Sequence, residues 1–192
     1  MSKRTSTPTV AQLEEELHRV SYLTRFHVML RSTISVLVIV AAAAVLVATL
    51  ILPVLRIYGT SMTPTLADGD IIVSVKTESY QKGDILAFYF NNKILVKRVI
   101  AQPGEWVDID AEGNVFVNGE RLVEPYLTEK SLGECDIEFP YQVPDGRLFV
   151  LGDHRATSVD SRSTTVGCVS EEQIVGKLVF RVWPIGEIVL IR

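Results

Sequence analysis

Cysteine and histidine are scarce in this 192-residue chain, with two of the first and three of the second. His18 and His27 precede a long apolar run, which leaves His154 without partners of the usual ligand types downstream and argues against a metal site. Cys135 and Cys168 permit one disulfide or two free thiols, since bridging needs Cα atoms within about 7 Å. Glycine (12) and proline (8) are too few for a collagen-like chain, and 47% hydrophobic residues against 22% charged exclude a disordered one. Ionisable side chains are missing altogether from residues 32–55. A basic surplus is missing beyond that gap: residues 56–192 carry fourteen Lys and Arg against twenty Asp and Glu, which argues against a nucleic-acid partner.

The gap in charge is filled by apolar residues. Residues 33–52 read TISVLVIVAAAAVLVATLIL, and twenty residues rising about 1.5 Å each as a helix match the hydrocarbon core of a bilayer. The thirty-one residues before Ser32 are too many for the short basic region of a cleaved signal peptide. A transmembrane helix over residues 32–55 is therefore expected, with the lipid bilayer as its partner. Lys3, Arg4, Arg19, Arg25 and Arg31 precede it, whereas only Arg56 follows before Lys76. That bias predicts a single-pass protein of the plasma membrane, with residues 1–31 as a cytoplasmic arm and residues 56–192 outside. Within the arm, Thr9 and Gln12 stand at capping-box spacing, and Val10, Leu13, Leu17 and Val20 recur at steps of three and four. The spacing predicts a short amphipathic helix, or else a solvated arm that supplies only the orienting charge.

Beyond Arg56 the pattern changes to short β-branched and aromatic runs separated by Gly, Asp, Asn and Pro, the mark of strands joined by turns. The expected fold is mainly β, with strands at 70–75, 84–90, 94–100, 106–109, 115–117, 148–151 and 177–182. Asn118 and Gly119 suit a tight hairpin. Residues 123–147 are poor in strand signals and are expected to form an insertion or long loop.

Two residues stand out chemically. Ser61 lies in the run GTSMTPTL at 59–66, and Lys97 lies in ILVKRVI at 94–100. Period-two alternation puts Leu95, Lys97 and Val99 on one face of that strand and Val96, Arg98 and Ile100 on the other. Burying the Leu95 face desolvates Lys97 and lowers its pKa, and a neutral amine is a base. A serine hydroxyl needs such a base, and His154 is the only downstream histidine. From the residues alone, Ser61 with Lys97 and Ser61 with His154 both stay open.

Three motifs in order narrow the choice: S-M-x-P-T from Ser61, K-R-V-I-x-x-P-G from Lys97, and G-D-x-R-x-x-S-x-D-S-R from Gly152. With the preceding apolar run, this set resembles the bacterial type I signal peptidases, the Ser/Lys enzymes of peptidase family S26 that remove signal peptides from exported proteins. The resemblance covers roughly residues 30–186. It implies a signal-peptidase-like β catalytic domain anchored by one N-terminal transmembrane helix, working without a cofactor. It also implies Ser61 as nucleophile and Lys97 as general base, with the Ser61 N–H as oxyanion donor. Ser158 would hydrogen-bond and orient the lysine, while Gly152, Asp153, Asp160 and Arg162 would support the site, the last two as a salt bridge. Where many members carry a second serine donor, this chain has Gly59, and His154 replaces a common asparagine.

Substrates implied by the resemblance are secretory preproteins with small residues at −3 and −1, whose side chains point to one face of a bound strand. Ile57, Met62, Leu66, Leu95 and Val96 would line the pockets, unless they are ordinary core residues. Ser61 follows Leu55 by six residues, which predicts a site at the outer membrane surface, where association with the export machinery would be in reach. Two other readings share these features: a specialised peptidase for a narrow substrate set such as pilus subunits, and a non-catalytic, membrane-anchored peptide-binding module.

Overall fold

The structure is a computed structural model and describes residues 10–77, 79–184, 186 and 189–191. The chain divides between Leu50 and Ile51 into two units, a helix and a β unit.

The helix α1 runs over Val10–Ile51, 42 residues without a glycine or proline, and stops before Pro53. Since nothing between residues 10 and 52 breaks a helix, the arm and the apolar run form one helix rather than two elements. The Thr24 and Ser35 hydroxyls donate to the carbonyls of Val20 and Arg31 four residues back, so neither is left bare. By length and composition the helix can cross a membrane. Thr9, Lys3 and Arg4, which entered the capping and orientation arguments, lie outside the described residues.

The β unit holds twelve strands among the described residues: β1 (Val54–Arg56), β2 (Ile71–Val75), β3 (Ile85–Phe90), β4 (Lys93–Ala101), β5 (Trp106–Ile109), β6 (Val115–Val117), β7 (Glu120–Arg121), β8 (Tyr141–Gln142), β9 (Arg147–Leu151), β10 (Val169–Ser170), β11 (Ile174–Trp183) and β12 (Val189–Leu190). The larger sheet has the order β1-β2-β11-β3-β4-β9-β10, with β12 added to β11; the smaller has the order β7-β6-β5-β8. Neighbouring strands are antiparallel throughout, so β1 and β4, four steps apart, point the same way.

The seven expected strands all appear, within a few residues at their ends. The others are two or three residues long and exist through pairing rather than propensity. Residues 123–147 contain one of them, β8, whose Tyr141 pairs with Val107. The segment also packs on the core: Val143 is buried in the same apolar cluster as Ile100, Val107, Phe149 and Leu151. A second cluster, with Ile57, Met62, Leu66, Ile72, Ile85 and Leu178, underlies the first loop after β1.

β4 carries the positions that matter most. Its first half, Lys93 to Val96, pairs with β3 on one edge only, while Arg98, Val99 and Ala101 pair with β9 across a one-residue register shift. Coverage changes with it: Lys93 and Ile94 are exposed, whereas Lys97 through Ala101 are all buried. Alternation predicted one buried face, but the second half of β4 is covered on both.

Gly113 lets the 123–147 segment approach the smaller sheet. A Cβ there, at φ +80°, would collide with the backbone of Ser131, whereas one at Gly119, φ +81°, would meet nothing within 4 Å. G113A is therefore expected to destabilise the β unit by more than about 1 kcal/mol, and by more than G119A does. Thermal midpoints of the two variants check this, and equal midpoints would contradict it.

Candidate active site

Ser61 rides on a loop closed at its base by hydrogen bonds from Ile57 N to Asp70 O and from Gly69 N to Ile57 O. Met62 and Leu66 are buried beneath it and fix its height. Gly59 N donates to Asp68 Oδ1 at 2.7 Å with φ at +89°, a left-handed backbone that an L-residue adopts only under strain. Glycine, where the resemblance would allow a serine donor, thus suits the local backbone. The Ser61 carbonyl accepts the His154 N–H at 3.0 Å, and among the described residues the Ser61 N–H has no protein acceptor.

Lys97 reaches the same point from β4, with Nζ 2.7 Å from Ser61 Oγ. The His154 ring instead lies 2.6 Å from the Thr157 hydroxyl. The lysine amine, not the histidine ring, is therefore in hydrogen-bond contact with the serine hydroxyl. Burial pulls the Lys97 amine down from 10.5 to about 8, while the carboxylates of Asp160 and Asp153 hold it up and the Arg162 guanidinium pushes it further down. At 1.36 kcal/mol per unit, that shift is a penalty of roughly 3 kcal/mol on the charged form.

Residues 152–162 pack against this pair. Space for a side chain at Gly152 is taken by the Ser158 hydroxyl and by the carbonyl of Ser61, so only glycine fits. The Ser158 hydroxyl is buried and, among the described residues, makes no hydrogen bond; the bond to Lys97 implied for it is not formed here, where the amine bonds Ser61. Asp160 and Arg162 form a fully buried pair at 2.8 Å, not a surface one. Asp160 Oδ2 also accepts the Gly152 N–H at 2.9 Å, and Arg162 donates to the carbonyls of Arg155, Ser158, Ser131 and Leu132. Asp153 is held by Arg98 through two bonds of 2.9 and 2.7 Å, and it accepts the Thr65 hydroxyl as well.

Several residues of this network went unread in the sequence. Arg98 was noted only as a cation in an apolar strand. Arg155 pairs with Glu124 from the supposed loop, both side chains fully enclosed, and Tyr126 lies under the Arg98 guanidinium, 3.9 Å from its ring centroid. The Tyr126 hydroxyl donates to Glu124 at 3.0 Å, and burial, with the Glu124 charge, raises its pKa and keeps it a donor. Glutamate and tyrosine flanking a proline among turn formers carry no periodic signal that would expose this role.

A cleft of about 490 Å³ opens beside Ser61, lined on one side by residues 54–59 and on the other by residues 93–96. Ile57, Met62, Leu95 and Val96 line it; Leu66 does not and belongs to the core below. Both Cys135 and Cys168 are free thiols.

Residues 30–183 match the family model described as signal peptidase, peptidase S26. The chain belongs to the signal peptidase family. Signal peptidase IB of Staphylococcus aureus (strain COL) is 40% identical over 152 residues, covering 68% of this chain and 78% of that protein. Signal peptidase I of Bacillus licheniformis is 32% identical over 168 residues, 81% of this chain and 89% of that one. The crystal structure of a signal peptidase I from Enterococcus faecalis V583 aligns with a TM-score of 0.44 at 30% identity, over 54% of this chain and 100% of that chain. Membership makes the chain a serine endopeptidase, a hydrolase that removes signal peptides from preproteins.

The buried pairs around this candidate site are expected to matter for folding more than the exposed ones. D160A strands the enclosed Arg162 charge and should cost about 3–5 kcal/mol. K82A opens the Lys82–Glu105 pair at 2.6 Å, whose lysine is 40% exposed, and should cost no more than about 1 kcal/mol. Denaturant unfolding of the two variants measures the contrast; equal losses would contradict it.

Proposed function

We propose that this signal peptidase cuts through a Ser61/Lys97 dyad and an acyl-enzyme, acting on membrane-engaged preproteins after small residues at −3 and −1. The observation that carries the reading is the 2.7 Å contact between Ser61 Oγ and a buried Lys97 Nζ whose pKa is lowered to about 8. Once neutral, the amine has a lone pair and accepts the hydroxyl proton as Oγ attacks the scissile carbonyl carbon. The developing oxyanion takes up the Ser61 N–H. Lys97 then gives its proton to the leaving amine, which departs as the new N-terminus of the mature protein. Water, deprotonated by the same lysine, attacks the ester and frees the signal peptide and Ser61. Ser158, Gly152, Asp153, Asp160 and Arg162 keep the pair aligned and do not react.

The cleft supports an extended substrate. Among the described residues β1 pairs only with β2, and the first half of β4 only with β3, so each offers an unpaired edge. Residues from both line the cleft. A peptide strand laid between them takes main-chain bonds from the edges, and side chains two residues apart point alike toward the apolar lining. Ile57, Met62, Leu95 and Val96 leave room for small side chains there. Anchoring by α1, with residues 1–31 on the cytoplasmic side, is the part of the proposal that rests on length, composition and the bias of Lys and Arg.

S61A and K97A, each folded as wild type, are expected to lose cleavage of a preprotein after an A-x-A site in detergent. Full activity in K97A would sink the dyad. Because the base works only when neutral, kcat/KM should climb as pH rises through about 8 and level off above it. With chemistry limiting the rate, a flat profile from pH 5 to 9 is the opposing result.

A further inference from the structure

Glu124 lies outside every motif that carries the family resemblance, yet its carboxylate is fully enclosed. Its pairing with Arg155 leads directly to the catalytic loop. Arg155 Nε donates to the Gly152 carbonyl at 3.0 Å, and the N–H of the same glycine donates to Asp160 at 2.9 Å. The backbone of Gly152 is thus gripped at both of its polar groups, each time by a member of a buried ion pair. Gly152 is also the residue whose missing side chain makes room for the Ser158 hydroxyl and the Ser61 carbonyl. A shift of Gly152 by a few tenths of an ångström is a shift of both.

We infer that Glu124, seconded by the Tyr126 hydroxyl, is a positioning residue for the reaction: it fixes Arg155, which holds Gly152 and through it the placement of Ser61 and Ser158. This rests on the Ser61/Lys97 reading. Neutralising the charge of Arg155 is what Glu124 adds. An unpaired guanidinium in that enclosed place would draw in water or turn to another acceptor, and either response releases the Gly152 carbonyl. Tyr126 closes the arrangement, since its hydroxyl fixes one Glu124 oxygen while its ring covers Arg98, the partner of Asp153. One short stretch of the 123–147 segment therefore controls the residues on both sides of the Gly152–Asp153 peptide.

The test is kinetic. E124Q keeps the shape and a hydrogen-bonding oxygen but removes the charge, and it is expected to lower kcat about 10- to 100-fold with KM within about twofold of wild type, the pattern of misplaced reacting groups. R155M should show the same split, and adding E124Q to R155M should bring no further loss in kcat, because both act through one contact. Wild-type kcat in folded E124Q would overturn the inference, as would losses that multiply in the double variant. Should E124Q fail to fold, Y126F decides: it keeps the ring and removes one bond to Glu124, so a several-fold drop in kcat at constant KM supports the inference and an unchanged kcat overturns it. S61A in the same assay separates the two readings. If S61A still cleaves, the dyad itself is wrong; if S61A is dead while E124Q is fully active, only the role of Glu124 falls.

Discussion

Removing three arginine–carboxylate pairs from water is the constraint on which the catalytic unit depends. Arg98 with Asp153, Arg155 with Glu124 and Arg162 with Asp160 are each almost wholly enclosed. Desolvating such ions costs several kcal/mol apiece, and mutual attraction offsets that cost only when every remaining donor and acceptor is satisfied. The surrounding chain is arranged accordingly. Carbonyls of Gly83, Gly152, Leu132, Arg155 and Ser158 turn inward to accept guanidinium protons that the carboxylates do not take. Loops that would otherwise wander are held by their main chains.

This explains why a site made of loops is placed so closely. The Ser61 loop is fastened through Thr65 to Asp153 and through its own carbonyl to His154. The 152–162 loop is fastened to itself by Asp160 and to the 123–147 segment by Arg155 and Arg162. Lys97, with Arg98 beside it, comes from a regular element, and β4 delivers it at the point where the strand passes from half-covered to fully covered. The same transition leaves an open edge on the near side and a dry interior around the amine on the far side. Lys93, four residues earlier in this strand, is exposed.

Much of this arrangement was legible in the residues, and the divisions follow from physics. Strands such as residues 85–90 and 106–109 show in the sequence because β-branched and aromatic residues bounded by turns report local preference. Val54 to Arg56 escaped notice because it continues an apolar run without a break, and β8 because two residues hold no period. Lys97 was readable as a cation between aliphatics, though the alternation argument set it against Arg98, and both proved buried. Ser158 was assigned a bond that its hydroxyl does not make in this structure. Glu124 and Tyr126 were illegible for a more general reason: a charged side chain in a turn-rich stretch looks solvated until the fold brings its partner to it from thirty-one positions away.

Burial of Lys97 also has a meaning in time. In a chain that has not finished folding the amine is solvated, and near its ordinary pKa of about 10.4 it holds its proton at neutral pH and cannot serve as a base. The drop to about 8 belongs only to the closed core. On the Ser61/Lys97 reading, hydrolytic power is therefore a product of the last packing events and not of the catalytic residues as such. On that reading, a copy whose core has not closed around Lys97 lacks its base.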